Sequence, residues 1–148
     1  MKLESPAFDA GGTIPDKYSH YADNRTPPLE FSDVPDGTRS LALIMDDPDA
    51  PHGLFTHWVA FDIDPNISHL EENAVPRDVR LGTNSWDEAG YGGPRPPDRE
   101  HRYFFHLYAL DERLGLPHGA PRDDLESAMQ GHVLAEAELM GRFAPPIM

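Results

Sequence analysis

Three segments of the chain carry the apolar patterns of β-strands. Residues 40–47 (SLALIMDD) are largely apolar on both faces, as are strands inside a sandwich core. Residues 55–62 (FTHWVAFD) and 101–110 (HRYFFHLYAL) alternate between two faces and are rich in aromatic and β-branched side chains, which favour strands. The pattern therefore predicts three long strands.

Turn residues interrupt the rest of the chain. Sixteen prolines and twelve glycines are spread over the whole length, with no repeat and no linker tract. Before Pro35, turn signals surround a brief apolar stretch at residues 29–31, which predicts irregular chain with one edge strand. Residues 90–97 (GYGGPRPP) are too rich in glycine and proline for regular structure, and we interpret them as part of a functional loop.

Helical periodicity appears only near the end of the chain. Apolar residues recur there at spacings of three and four, and these are Leu125, Met129, Val133, Ala137 and Met140. Asp123, followed three residues later by Glu126, resembles a capping box, and Gly141 marks the end of the segment. The chain is thus predicted to form a single, mostly β domain over residues 1–148, with a C-terminal α-helix.

Acidic residues dominate the charge. Asp and Glu number 26 against 12 Lys and Arg, which gives a formal net charge of -14. Such a surface repels phosphate backbones and anionic leaflets, so we expect neither nucleic acid nor a membrane as a partner. Lysine is scarce, with only Lys2 and Lys17, and this composition fits a halophilic protein from a high-salt cytoplasm, where charges are screened over about 3 Å at 1 M salt.

The chain contains no cysteine. Disulfides, thiolate metal sites and a cysteine nucleophile are therefore excluded, and the composition is compatible with a reducing cytoplasm. We recognise no signal peptide, lipidation motif or apolar run of membrane-spanning length in the sequence. A soluble, cytoplasmic protein is the expectation.

An acidic turn follows the first predicted strand. Asp47 lies two residues beyond Met45, so a continuous pleat points its carboxylate toward the core, where it must be paired or lie at the rim of a cavity. Asp49 follows Pro48 in the same turn, and an ordinary turn rich in Asp and Pro explains this stretch equally well. We also consider a cis peptide bond before Pro51, since cis prolines occupy tight, fixed turns.

Histidines lie at the starts of the other two strands. His57 shares a face with Val59, where a single histidine is more often a hydrogen-bonded core residue than a ligand. His101 and Tyr103 share one face at the start of the third strand. Together with the acidic turn, these residues meet the needs of a pocket at the strand ends, in which backbone N–H groups of the glycine-rich loop form an anion nest.

Other chemistries have weaker support. Asp47, His57 and His101 are suitable metal ligands, but no H-x-H, H-E-x-x-H or EF-hand spacing accompanies them, so we expect no metal and no cofactor. The sequence contains no G-x-S-x-G, Walker or dinucleotide-binding motif. His132 is interpreted as structural, and no role is assigned to the histidines in loop-like context, which are His20, His52, His69 and His118.

Four motifs in this order resemble those of the phosphatidylethanolamine-binding protein family, and more narrowly its bacterial and archaeal branch, called Raf-kinase-inhibitor-like. They are DPDAP (residues 47–51), HWVAF (57–61), GYGGPRPP followed by HRY (101–103), and AMQGHVLAEAEL (128–139). In one respect the chain differs from the pattern. Family members usually have a glycine between the double proline and HRY, where this chain has Asp98-Arg99-Glu100.

The resemblance implies an antiparallel β-sandwich with a pocket at one end for phosphate, acetate or a phosphoryl head group. Carried over by motif position, the ligand-binding residues are Asp47, Asp49, His57, Gly93, Pro94, His101 and Tyr103. Because relatives are often dimeric, the resemblance is also compatible with a homodimer.

Three functions follow from this reading. The first is a non-catalytic pocket for a small anionic or phosphorylated molecule, with regulation or inhibition of a protein partner left open. The second is a small hydrolase in which Asp47 orients His57 or His101 as a general base toward water. The third is an interaction protein whose pocket is vestigial.

Overall fold

Two antiparallel β-sheets and one α-helix make up the computed structural model, which describes residues 1–146. The strands are β1 (Lys2–Glu4), β2 (Leu29–Ser32), β3 (Ser40–Asp47), β4 (Phe55–Ile63), β5 (His69–Leu70), β6 (Arg80–Leu81), β7 (His101–Leu110) and β8 (Val133–Phe143). The helix α1 spans Arg122–Met129, and a 3₁₀ turn spans Asp16–Tyr18. The smaller sheet has the order β1-β2-β5 and the larger sheet the order β6-β4-β3-β7-β8.

The larger sheet packs against other elements on both faces, and its strands β3 and β4 are buried on both sides. Its inner face, with Trp58 and Phe105, packs in one apolar cluster with Phe31 and Leu70 of the smaller sheet. Its outer face packs against α1 through a second cluster. Burial of each large apolar side chain contributes roughly 2 kcal/mol. The prediction of a mostly β domain is confirmed, as is the antiparallel sandwich that the resemblance implied.

None of the helices within residues 1–146 has both the length and the apolar character that crossing a membrane requires.

The three long strands lie where the sequence predicts them. β3 and β7 have the predicted bounds, and β4 extends one residue further, to Ile63. The strand predicted at residues 29–31 is present as β2. It is not an edge strand, however, because it is the middle strand of the smaller sheet. Its partners β1 and β5 span three and two residues, too few for a periodic pattern to reveal them.

The predicted C-terminal helix is present, but its predicted extent is wrong. α1 ends at Met129, and the residues that follow form β8, which pairs along the whole length of β7. Gly131 adopts a left-handed backbone conformation, with φ at 82°, just beyond the end of the helix. Beyond it, Ala137 and Leu139 pack into the inner cluster while Glu138 between them is exposed, which is the two-residue period of a strand.

Three smaller predictions about the turns are also wrong. Asp123 does not cap α1, because the helix begins after Pro121 and has no side-chain cap. His132 lies in the turn between α1 and β8 rather than in a helix, and its Nδ1 is 2.8 Å from Oδ1 of Asp111. The peptide bond before Pro51 is trans, since no bond within residues 1–146 is cis.

Candidate functional site

A cavity of about 400 Å³ opens where β3 ends and where β4 and β7 begin. Antiparallel pairing brings these strand ends together, because Asp47 faces Phe55 across one pair and Asp46 faces Phe104 across the other. Residues 50–55 supply much of the wall, which is completed by residues of the connection between β6 and β7. Its charged and imidazole side chains are Asp47, His52, His57, Arg95 and His101.

His101 bridges two carboxylates. Its Nδ1 lies 2.6 Å from Oδ2 of Asp47, and its Nε2 lies 2.7 Å from Oδ1 of Asp98. The side chains of His101 and Asp47 are 1% and 4% exposed, whereas that of Asp98 is 49% exposed. Because an ionised carboxylate only accepts hydrogen bonds, a ring that donates to both carboxylates carries a proton on each nitrogen. The hydrogen bond from His101 lowers the pKa of Asp98.

Asp49 forms a bidentate ion pair beside the cavity. Its Oδ1 accepts from Nη2 of Arg102 at 2.9 Å, and its Oδ2 accepts from Nε at 3.0 Å and from the backbone N–H at 2.9 Å. These side-chain hydrogen bonds lower the pKa of Asp49 to about 2. Oδ1 of Asp47 accepts from the N–H of Asp49 at 2.7 Å and so fixes the turn. Each carboxylate of the acidic turn is thus paired with a cationic side chain or with His101.

A β-bulge in β4 determines where His57 points. Met45 pairs with Trp58, but the next residue, Asp46, pairs with Thr56, so His57 is the extra residue opposite β3. The two-residue alternation of side chains is therefore shifted by one residue at this point of the strand.

The bulge separates His57 from the face that the sequence predicts for it. Val59 packs on the outer face with α1, whereas the imidazole of His57 lines the cavity and meets the rings of Trp86 and Tyr103 edge-on, with centroids 5.1 and 5.2 Å away. Its Nδ1 donates to the carbonyl of Gly92 at 2.7 Å, which leaves Nε2 as the acceptor of the neutral ring. Burial lowers the pKa of His57, so the ring is neutral at pH 7.

The glycine-rich loop is bound to the rest of the fold. The N–H of Gly93 donates to Oδ1 of Asn24 at 2.7 Å, and the N–H of Gly92 donates to a carbonyl of β4 at 2.9 Å. A Cβ on Gly93 would overlap the carbonyl oxygen of Tyr18, so only glycine fits there. The two amides predicted to form an anion nest are therefore engaged within the protein.

Tyr103 lies behind the two imidazoles. Its ring centroid is 5.2 Å from that of His57 and 6.4 Å from that of His101, and its side chain is fully buried. Burial raises the pKa of Tyr103, and its hydroxyl has no hydrogen-bond partner among residues 1–146. The tyrosine thus packs against both imidazoles.

Known proteins share both the sequence and the architecture. The family model described as phosphatidylethanolamine-binding protein matches residues 4–144. A protein of Methanothermobacter thermautotrophicus is 49% identical over 149 residues, which cover 97% of this chain and 98% of the relative. The chain belongs to the phosphatidylethanolamine-binding protein family.

Solved structures of two phosphatidylethanolamine-binding protein relatives have the same fold. The homologue CT736 from Chlamydia trachomatis superposes with a TM-score of 0.92 at 44% identity, covering 95% of each chain. YbcL from E. coli, described as a member of the mammalian phosphatidylethanolamine-binding protein family, superposes with a TM-score of 0.89 at 25% identity, covering 96% of each chain.

The predicted ligand residues of this family member fall into two groups. Asp47, His57 and His101 line one cavity. The remaining four are not in its wall. Asp49 pairs with Arg102 beside it, and Tyr103 packs behind the imidazoles. Gly93 and Pro94 are held within the protein, Gly93 through its N–H to Asn24 and Pro94 through its carbonyl, which accepts from the N–H of His20 at 2.9 Å. The cavity wall therefore contains the two imidazoles and one carboxylate of the predicted set.

Residues without a predicted role also line the cavity, and among them are His52, Trp86 and Arg95. The indole of Trp86 meets the ring of Phe55 edge-on at 4.6 Å and stacks on His20 at 4.9 Å, which gives His20 a supporting contact. Arg95 brings a guanidinium group to the wall, 5.9 Å from the ring of Tyr21. Arg95 lies inside the loop that the sequence analysis interprets as functional, so its position in the sequence already indicated a place near the site. No local pattern marks Trp86.

Proposed function

We propose that this member of the phosphatidylethanolamine-binding protein family binds a small anionic molecule, with a phosphate, phosphoryl or carboxylate group, in the cavity at the ends of β3, β4 and β7. One observation carries the proposal. His101, in the cavity wall, already holds a carboxylate, that of Asp98, at 2.7 Å from its Nε2. A donor that binds one carboxylate with this geometry suits an oxygen of another anion.

The charges next to the cavity favour an anion even though the whole surface is acidic. The carboxylate of Asp47 is offset by His101, and that of Asp49 by Arg102. Arg95 adds a guanidinium group to the wall. The neutral ring of His57 adds an acceptor, which suits a protonated phosphate oxygen.

The size of the cavity indicates more than a bare ion. A volume of about 400 Å³ lies within the range of small-molecule pockets. One water molecule in the liquid takes up only about 30 Å³. Leu54, Phe55 and Trp86 supply apolar wall. The ligand therefore carries an apolar or aromatic group next to its anionic one.

Binding is favoured over hydrolysis by the composition of the wall. Within residues 1–146, the cavity lining contains no serine, threonine, cysteine or lysine, so it offers none of the usual hydroxyl, thiol or amine nucleophiles. Both ring nitrogens of His101 are engaged by carboxylates, so neither is free to take a proton from water. In the alternative hydrolase, His57 is thus the base that would activate water.

The proposal is tested by adding inorganic phosphate and phenyl phosphate to labelled protein at neutral pH. We expect saturable shifts of the His57 and His101 side-chain resonances and tighter binding of phenyl phosphate by calorimetry. Arg95→Gln should weaken binding, while Arg113→Gln, an exposed arginine beyond the far end of β7, should not. Failure of both ligands to produce a saturable shift would overturn the proposal.

The same samples separate the alternatives. Release of phosphate from phenyl phosphate by the wild type, lost in His57→Ala, would support the hydrolase. Regulation or inhibition of a protein partner stays a prediction from the sequence. Full binding of such a partner by the double variant Asp47→Ala, His101→Ala would favour an interaction protein with a vestigial pocket.

A further inference from the structure

We propose that Asp98 is an internal competitor for the anion site. Its carboxylate accepts from the Nε2 donor of His101, and the anionic group of a ligand displaces it. This inference rests on the proposed function and concerns the regulation of the same site.

The two carboxylates that contact His101 are held differently. Asp47 belongs to β3, is almost fully buried, and is fastened further by the N–H of Asp49. Asp98 belongs to the exposed loop at residues 97–100, and half of its side chain faces solvent. Its Oδ1 also accepts from the N–H of its neighbour Arg99 at 2.9 Å. Asp47 is thus a fixed partner, whereas the carboxylate of Asp98 can turn into water without opening the core.

The burial of His101 explains why its Nε2–H needs an acceptor from the protein or from a ligand. With Asp98 in place the imidazole is 1% exposed, so bulk water does not reach its Nε2–H. A buried donor without an acceptor is costly, and native proteins pair nearly all such groups. An anion that enters the cavity takes over as the acceptor, so the imidazole is satisfied in both states. The carboxylate it displaces regains its hydration.

Tethering makes Asp98 an effective competitor. Asp98 precedes His101 by three residues, so its carboxylate is always near the donor at a high effective concentration. If the contact is formed about nine-tenths of the time, an external anion binds about tenfold more weakly than it would to the free donor. Removal of the Asp98 carboxylate should therefore tighten the binding of inorganic phosphate by about tenfold.

A merely structural role of Asp98 leads to the opposite result. If Asp98 braced the imidazole in its binding geometry, its removal would loosen His101 and weaken phosphate binding. The sign of the change in affinity therefore separates a competitor from a brace.

The test compares the dissociation constants for inorganic phosphate of wild type, Asp98→Asn and Asp98→Ala at neutral pH and fixed ionic strength. We expect the tightest binding for Asp98→Ala and intermediate binding for Asp98→Asn, whose amide oxygen still accepts a hydrogen bond. Glu100→Gln is the matched control, because Glu100 lies in the same loop, is half exposed and pairs with Arg142 outside the cavity. An equal gain in Glu100→Gln would attribute the effect to net charge alone and overturn the inference.

A second measurement needs no ligand. The exchange of the His101 Nε2 proton with water should be faster in Asp98→Ala than in wild type, and unchanged exchange would contradict the inference. Unchanged or weaker phosphate binding by both Asp98 variants, with normal binding by wild type, overturns this inference and leaves the proposed function standing. Absence of phosphate binding by wild type and every variant overturns both.

Discussion

Asp46 and Asp47 are neighbours in the chain, yet their carboxylates lie on opposite faces of the larger sheet and bind different partners. Oδ2 of Asp46 accepts from Nη1 of Arg122 in α1 at 2.9 Å, while Oδ2 of Asp47 lies 2.6 Å from Nδ1 of His101. Their side chains are 5% and 4% exposed. Because successive side chains of a strand alternate between faces, one short acidic segment both fastens the helix and builds the cavity.

Removal of Arg122 should destabilise the protein strongly. Burial alone would raise the pKa of Asp46, but hydrogen bonds from His106 and Arg122 outweigh it and lower the pKa. Arg122→Met leaves a buried carboxylate without its arginine partner, so we expect a loss of about 3 kcal/mol in the free energy of unfolding, measured with urea at neutral pH.

The control for Arg122→Met breaks the other ion pair of the same arginine. Glu126 pairs with Nε of Arg122 one helical turn away and is half exposed. Glu126→Gln should therefore cost only about 0.5 kcal/mol. A similar cost for the two variants would show that the buried contact with Asp46 is unimportant.

Asp49→Asn should lower the free energy of unfolding at neutral pH, and this cost should disappear in acid. The pKa of Asp49 is about 2 in the folded protein against 3.8 for an ordinary aspartate, so its ion pair stabilises the fold above pH 3.8 and is lost as the pH falls toward 2. Because Arg102 is half exposed and solvent screens the pair, we expect a cost of about 1 kcal/mol at neutral pH. Urea unfolding over a series of acid pH values should show the difference from wild type shrinking through this window, while Asp36→Asn, in an exposed turn, should cost much less.

The neutral state of His57 should make stability fall in mild acid. Because the pKa of His57 is lowered in the fold, the unfolded chain takes up the proton first, and the stabilisation present above pH 6.5 is lost as the pH falls below it. His57→Asn retains a donor for the carbonyl of Gly92 but does not titrate. We expect a shallower dependence of unfolding free energy on pH below neutrality in this variant. His118→Asn, in an exposed loop, should keep the wild-type slope, and an unchanged slope in His57→Asn would contradict the assignment.

Potassium chloride should stabilise the protein. With a net charge of -14, repulsion between carboxylates opposes the folded state, and molar salt screens charges over about 3 Å. The melting temperature is expected to rise with salt, and to rise less after replacement of Glu136 and Glu138, which are exposed on β8, by glutamine. A melting temperature that does not increase in molar salt would count against the predicted high-salt habitat.

β8 marks a limit of what the sequence by itself can predict. Ala137, Leu139 and Phe143 fit the period of a strand, while Val133, Ala137 and Met140 fit the period of a helix. The same segment thus fits both a helix and a strand, and its pairing with β7 makes it a strand. No such conflict exists in β3 or β7, where aliphatic and aromatic side chains dominate, and their bounds were predicted correctly.

The sequence by itself determined the long strands β3, β4 and β7, the mostly β class and the residue types at the strand ends, because these depend on neighbours along the chain. Only the tertiary structure decided that a bulge turns His57 to the cavity and that Trp86 and Arg95 join it. It also decided that His101 has a fixed carboxylate on one nitrogen and an exposed one on the other. These contacts depend on strand register and on loop paths between residues far apart in sequence, which no local periodicity encodes.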